Sequence, residues 1–231
     1  MNSSRRRTRR GVMGIEAAIV MIAFVIVAAA LAFVVLNMGF STTQKAKMAV
    51  VSSQTEASSA LEIAGKVTGI GFPASGVLNA TIIPIKVASG GDAVNLSPTL
   101  TDIKYYSNTV RYDNIYSSKC LLTSATYGNV TGAFNAAVSA TCIDKAPISG
   151  AATPGAPTHT QAMIYWDVAG GVPLNGILSE GQHANVAIAY QSSDRPSALD
   201  NIKAEIIVPT GSALTIERQV PSVTTNIVDL G

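Results

Sequence analysis

The chain has 231 residues, of which 48% are hydrophobic and only 13% charged, and its formal net charge is +2. Five of the sixteen basic residues (Arg5, Arg6, Arg7, Arg9 and Arg10) precede Gly11, so the rest carries eleven basic against fourteen acidic residues, a net charge of −3. Outside that arginine cluster the basic residues are outnumbered by acidic ones, so the body lacks the basic patch of a nucleic-acid-binding protein, and the length suits one long helix plus one domain of ordinary size.

The first element follows the arginines. Residues 17–36 are an unbroken apolar run of twenty, long enough to span the hydrocarbon core of a bilayer, and the basic head marks the cytoplasmic side. A secretory signal has a shorter apolar core and small residues at its cleavage site. Here the run leads instead into Asn37-Met38-Gly39-Phe40. Glu16 stands at the edge of the run, where a carboxylate is costly unless it has a partner. Residues 42–66 contain no proline, and their only glycine is Gly65, so the sequence predicts one continuous helix over residues 12–66, on the order of 80 Å long at 1.5 Å per residue. Gly65, Gly69, Gly71 and Pro73 are its expected stop signals. Being apolar all round, its first part must be buried in lipid or in protein, and the alanines at 17, 18, 28, 29, 30 and 32 allow close approach of neighbouring helices.

From Phe72 onward the texture becomes short β-rich runs broken by Gly, Pro and Asn. Residues 81–87, 101–106, 109–112, 162–168, 184–190, 203–208 and 213–220 are the candidate strands, with a hairpin turn at Ser107-Asn108 and a surface loop over residues 146–157. The expected class is α+β: a long N-terminal hydrophobic helix followed by an antiparallel, Ig-like β-sandwich over residues 67–231.

Catalytic patterns are missing from the sequence. His159 and His183 lack ligand spacing, no nucleophile elbow or phosphate-binding glycine loop occurs, and the aspartates fall mostly in turns. An enzyme is therefore the least favoured class, and neither cofactor nor metal is expected. Cys120 and Cys142 are read as a disulfide pair of an exported domain, with two separate buried thiols as the alternative. Asn79-Ala80-Thr81, Asn95-Leu96-Ser97 and Asn129-Val130-Thr131 match the N-glycosylation sequon, and Pro98 weakens the second.

The segment RRGVMGIEAAIV, residues 9–20, resembles a class III, type IV pilin-like signal, and more closely the N-terminus of archaeal flagellins (archaellins). The continuation AFVIVAAALAFVVLNMGFSTTQKAK, residues 23–47, is similar to that family nearly word for word. Weaker echoes occur at residues 88–97, 178–181 and 209–218. The resemblance implies a leader of residues 1–11, cut by a pilin-type signal peptidase after Gly11. Arg9 and Arg10 would then precede the cut, and Val12 would be the new N-terminus. Glu16 becomes the fifth mature residue, where type IV pilins carry glutamate and many archaellins carry glycine. Physically, Glu16 and the amine of Val12 can pair within or between chains, or Glu16 can simply cap the helix start at the lipid interface.

The expected function is that of a structural subunit. It is held in the membrane as a precursor, then polymerised with copies of itself or other archaellins, through a membrane assembly platform and rotary motor, into an extracellular filament for swimming. The alternatives are an adhesive type IV-like pilin and a membrane-anchored extracellular binding protein.

Overall fold

A computed structural model describes residues 10–58, 61–148, 155–171 and 173–231. These residues form two compact units, one up to Ser53 and one from Gln54 to Gly231. Arg5, Arg6, Arg7 and Arg9 lie outside the described residues.

α1 (Arg10–Ser58) is 49 residues long, or about 74 Å, and supplies the first unit as far as Ser53. Its stretch from Gly14 to Val51 has a mean hydropathy of 3.3 in its most apolar window, none of it buried. Where the helix approaches its end, Thr42 and Thr43 donate their hydroxyls to the carbonyls of Met38 and Gly39, each at 2.8 Å. The helix stops eight residues short of the expected Lys66. Two causes coincide. Ser52, Ser53, Thr55 and Ser58 are weak helix formers by residue type. Beyond them, Leu61, Glu62 and Ile63 pair with Val87, Lys86 and Ile85 as a strand. Leu61 is buried there, and Glu62 meets Lys86 at 2.8 Å. Burial against the sheet outweighs the helix preference of Leu and Glu.

The second unit begins with β1 (Leu61–Ile63), β2 (Thr68–Phe72), β3 (Val77–Val87), β4 (Val94–Asn95), β5 (Asp102–Tyr106), β6 (Arg111–Tyr112) and β7 (Tyr116–Thr126). Next comes α2 (Val130–Ser139), then β8 (Gln161–Val168), β9 (Ile177–Leu178), β10 (His183–Ala189), β11 (Asn201–Ile207), β12 (Leu214–Gln219) and β13 (Ile227–Asp229). A seven-stranded sheet runs β13–β2–β3–β10–β8–β7, with β1 also on β3. A four-stranded sheet runs β12–β11–β5–β6, and β4 pairs β9. The expected hairpin at Ser107-Asn108 is β5–β6.

The two larger sheets face each other. Thr81, Ile83 and Ile188 of the first and Tyr105, Ile202, Ala204 and Ile216 of the second line one small interior space. Across it the rings of Tyr105 and Tyr190 lie 5.2 Å apart, and the Tyr190 hydroxyl bonds Thr81 Oγ1 at 2.8 Å. β8 and β10 are buried on both faces, as Met163, Ile164, Tyr165 and Trp166 on β8 show.

α2 and a parallel strand pair also depart from the sequence expectation. Among the described residues every strand pairing is antiparallel except β7 with β8, which is parallel. The cause is α2, absent from the expectation: β7, α2 and β8 form a crossover, and only a crossover returns the chain parallel to its own neighbour. α2 buries Ala133, Phe134 and Ala137, and its N-cap is Asn129, whose Oδ1 accepts from the amide of Gly132 at 2.6 Å. Cys120 on β7 and Cys142, just past the end of α2, form a disulfide with their Cα atoms 4.8 Å apart. The bond ties the crossover back onto the strand that starts it.

A buried carboxylate joins the layers elsewhere. Asp194, 3% exposed, accepts from Tyr112 on β6 and from Thr160 just before β8, both at 2.7 Å. It also accepts from Gln191 and Ser193 within its own turn, both at 2.9 Å. Burial pushes its pKa up, but the donors from Gln191, Thr160, Tyr112 and Ser193 together pull it below the usual carboxylate value of 3.8.

Two outcomes follow. Cys142→Ala should lower the stability of the second unit by about 3 kcal/mol, the loop-closure contribution for a separation of this size, seen as an earlier shift of the emission of the buried Trp166 on heating. Asp194→Asn should cost about 2 kcal/mol at neutral pH. Because the folded pKa is depressed, the Asp194 contribution is full above the unfolded value and disappears as pH falls through the folded one. Urea midpoints of the two chains should therefore converge below pH 3.8.

Candidate functional site

Two surfaces carry the chemistry open to this chain. The first is α1. Glu16 lies near its start, exposed, with Gly14 and Ala17 beside it. Arg10, Gly11 and Val12 are already helical, so the expected cleavage point lies in the first turn of α1, whose N-terminal end favours a carboxylate within reach. Large apolar side chains point outward all around the helix, among them Ile19, Phe24, Leu31, Phe33 and Phe40, each at least 60% exposed. Polar residues take over only after Phe40, with Gln44, Lys45 and Lys47. Such a surface offers no catalytic group. It offers apolar area, and with it association.

The second surface holds the sequons, and the fold sorts them. Asn79 lies on β3, and the hydroxyl of its sequon Thr81 is buried and bonded to Tyr190. Asn95 lies on β4, where its Oδ1 accepts from the Ser97 amide at 2.9 Å. Asn129 is exposed at the N-cap of α2. In the sequence Asn129 is read as a sequon alone and not as a helix cap. Cys120 and Cys142, expected as a pair, are joined. His159 is exposed beside an open cavity of about 360 Å³ that Cys142 and Asp144 also border, and His183 begins β10. Among the described residues no three His, Cys, Asp or Glu side chains are grouped as metal ligands would be.

The remaining ionic contacts fasten strand ends. Lys66, before β2, meets Asp229 on β13 at 2.5 Å. Its hydrogen bond to Asp229 raises the lysine pKa, and the same bond, with the amide of Gly231, lowers that of the carboxylate.

An α1 of this kind, apolar, exposed and continuous with a β unit, agrees with a match over residues 11–218 to the archaeal-type flagellin family model. The chain belongs to the archaeal-type flagellins. The match starts at Gly11, the last residue of the expected leader. Over 110 residues the chain is 52% identical to probable flagellin 1 of Aeropyrum pernix, covering 48% of this chain and 53% of that protein. Over 116 residues it is 37% identical to flagellin FlaB2 of Saccharolobus shibatae, covering 49% of this chain and 38% of that one. The chain thus spans about half the length of these relatives or less. Among solved structures, the archaeal flagellum of Methanospirillum hungatei strain JF1 aligns with a TM-score of 0.53 and 22% identity, over 94% of this chain and 99% of that one. Flagellin FlaB1 of Methanocaldococcus jannaschii aligns with a TM-score of 0.53 and 14% identity, over 74% of this chain and 96% of that one. At these identities the likeness shows the fold, a long N-terminal helix followed by an antiparallel-rich β domain.

Asn129→Ala should remove the α2 cap at a cost of about 1 kcal/mol, measured as a lower thermal midpoint by near-ultraviolet circular dichroism.

Proposed function

We infer that this flagellin is a structural subunit that polymerises into an extracellular archaeal flagellum filament used for swimming. The observation that carries this reading is α1, whose stretch from Gly14 to Val51 is apolar and wholly unburied within its own chain. Each large apolar side chain left in water forfeits about 1.5–3 kcal/mol, so the helix requires lipid or copies of itself. Both are apolar solvents for it. Transfer from one to the other is decided by close packing, to which the alanines at 28, 29 and 30 contribute.

The proposed sequence of events follows from that constraint. The precursor rests in the cell membrane with its arginines cytoplasmic. A pilin-type peptidase cuts after Gly11, and the amine of Val12 then lies about one helical turn from Glu16. At a membrane assembly platform the helix leaves lipid and joins copies of this chain or other archaellins. The β units face outward, and contacts between unlike surfaces of successive copies extend the polymer without closing it. A rotary motor at the base turns the filament. The adhesive-pilin reading retains one specific support, the glutamate at the fifth position of the mature chain. A strain lacking this chain decides between them: loss of swimming with attachment intact supports the filament of motility, and the reverse outcome supports the pilin.

N-terminal sequencing of sheared filaments should begin at Val12. Glu16→Ala leaves the new amine without its carboxylate in an apolar surround, at about 3 kcal/mol, and should slow filament growth on the order of 100-fold, measured as filament length against time. Of the three sequons, intact-mass and peptide mass spectrometry should find glycan on Asn129 and leave Asn79, whose Thr81 hydroxyl is buried, unmodified.

A further inference from the structure

Asn129 stands at the edge of an open groove of about 510 Å³ that lies between β2, β13 and the first turn of α2. Val130 and Thr131, the second and third residues of the Asn129 sequon, form its α2 wall. Another wall comes from β2. There Thr68, Ile70 and Phe72 alternate with Gly69 and Gly71 and so share one face. The glycines turn the other way, where a Cβ at 69 would meet Leu78 and one at 71 the Thr225 carbonyl oxygen. The larger side chains are therefore left on the groove face.

Two kinds of surface meet in this lining. Phe72 and Ile227 are apolar, and they are 41% and 73% exposed. Thr68, Asn79, Thr131 and Asn226 supply polar groups, and none of the described lining residues is charged. A purely apolar occupant would take water from those polar groups without replacing it, and an ionic one would meet no counter-charge. Sugar rings suit both surfaces. Their C–H faces lie on aromatic and aliphatic side chains, while the hydroxyls at the ring edge bond amides and alcohols. The volume is that of a small-ligand pocket.

The tether pairs this groove with one occupant. Asn129 is exposed, and its cap uses only Oδ1, which accepts from the Gly132 amide at 2.6 Å. An N-linked glycan is carried on the other amide atom, Nδ2, so capping and attachment coexist. The cap also holds the side chain in place, so the glycan starts from a fixed point one residue before the groove wall. Attachment makes seating intramolecular, at a high effective concentration.

We propose that the Asn129-linked glycan folds back into this groove and packs its first, uncharged sugar rings against Phe72 and Ile227 of the same chain. The inference rests on the modification expected at Asn129 and specifies where the glycan lies. Seating removes exposed apolar surface from the β unit.

Hydroxyl-radical footprinting read by peptide mass spectrometry tests it, on full chains purified from native cells and dispersed in detergent. Asn129→Asp is the comparison, since aspartate keeps the N-cap and cannot accept the glycan. Phe72 and Ile227 should be oxidised several-fold less in the glycosylated chain than in Asn129→Asp. Leu199, which is 73% exposed and is not a groove residue, should be oxidised equally in both. The glycosylated chain should also melt a few degrees higher. Phe72→Ala should shrink that difference, as coupled groups do in a double-mutant cycle. Equal oxidation of Phe72 and Ile227 in the two chains, with glycan present on Asn129, overturns the seat and leaves the modification standing. Native chains bearing no glycan on Asn129 overturn both.

Discussion

The apolar surface of α1 is the constraint on which the rest depends. A helix of 49 residues with its hydrophobic side chains exposed on every side is not a stable object in water. Intrachain burial does not relieve it, since none of the Gly14–Val51 window is covered. The helix therefore imposes a partner on the chain: lipid first and, in the proposed assembly, identical helices afterwards. Two apolar environments of similar solvent quality make that exchange nearly neutral, so small differences in packing suffice to direct it. The composition of the helix, alanine between large aliphatic side chains and one carboxylate at its start, suits that exchange.

The β unit solves a separate problem, how to hold a folded domain with few charges to spare. β3, β10 and β8 sit in the middle of the seven-stranded sheet, which faces the four-stranded sheet, while α2 packs against β7. Each layer is fastened by a specific device. The disulfide fastens the α2 crossover to β7. Asp194 draws β6, the approach to β8 and its own turn onto one buried carboxylate, and the charge is tolerated because four donors satisfy it. Gly71 allows the C-terminal segment to cross closely, since a Cβ there would fall 2.3 Å from the Thr225 carbonyl oxygen.

Legibility in the sequence followed the range of the interactions. The helix core, Glu16 and the hairpin at Ser107-Asn108 were readable because each depends on a few adjacent residues. The end of α1 was not, since Leu61-Glu62-Ile63 has helix-compatible composition and becomes a strand only by pairing with residues far along the chain at 85–87. β7 was missed because Ser117, Ser118 and Lys119 break the apolar alternation. α2 was missed because its ten residues include Val, Thr, Gly and Asn, poor helix formers that are held by the cap and the buried face. Missing α2 concealed the parallel pairing, which follows from it.

By itself the sequence determined that this chain carries a long apolar helix behind a run of arginines, a β-rich body, and a cysteine pair. These are consequences of composition and local period, which act over a few turns or strands. The tertiary structure alone decided where the helix gives way to β1, which sequon stays exposed, and how Phe72 and Ile227 come to line a groove beside that sequon. Those depend on which distant backbone and side-chain groups meet, and nothing in neighbouring residues encodes that meeting.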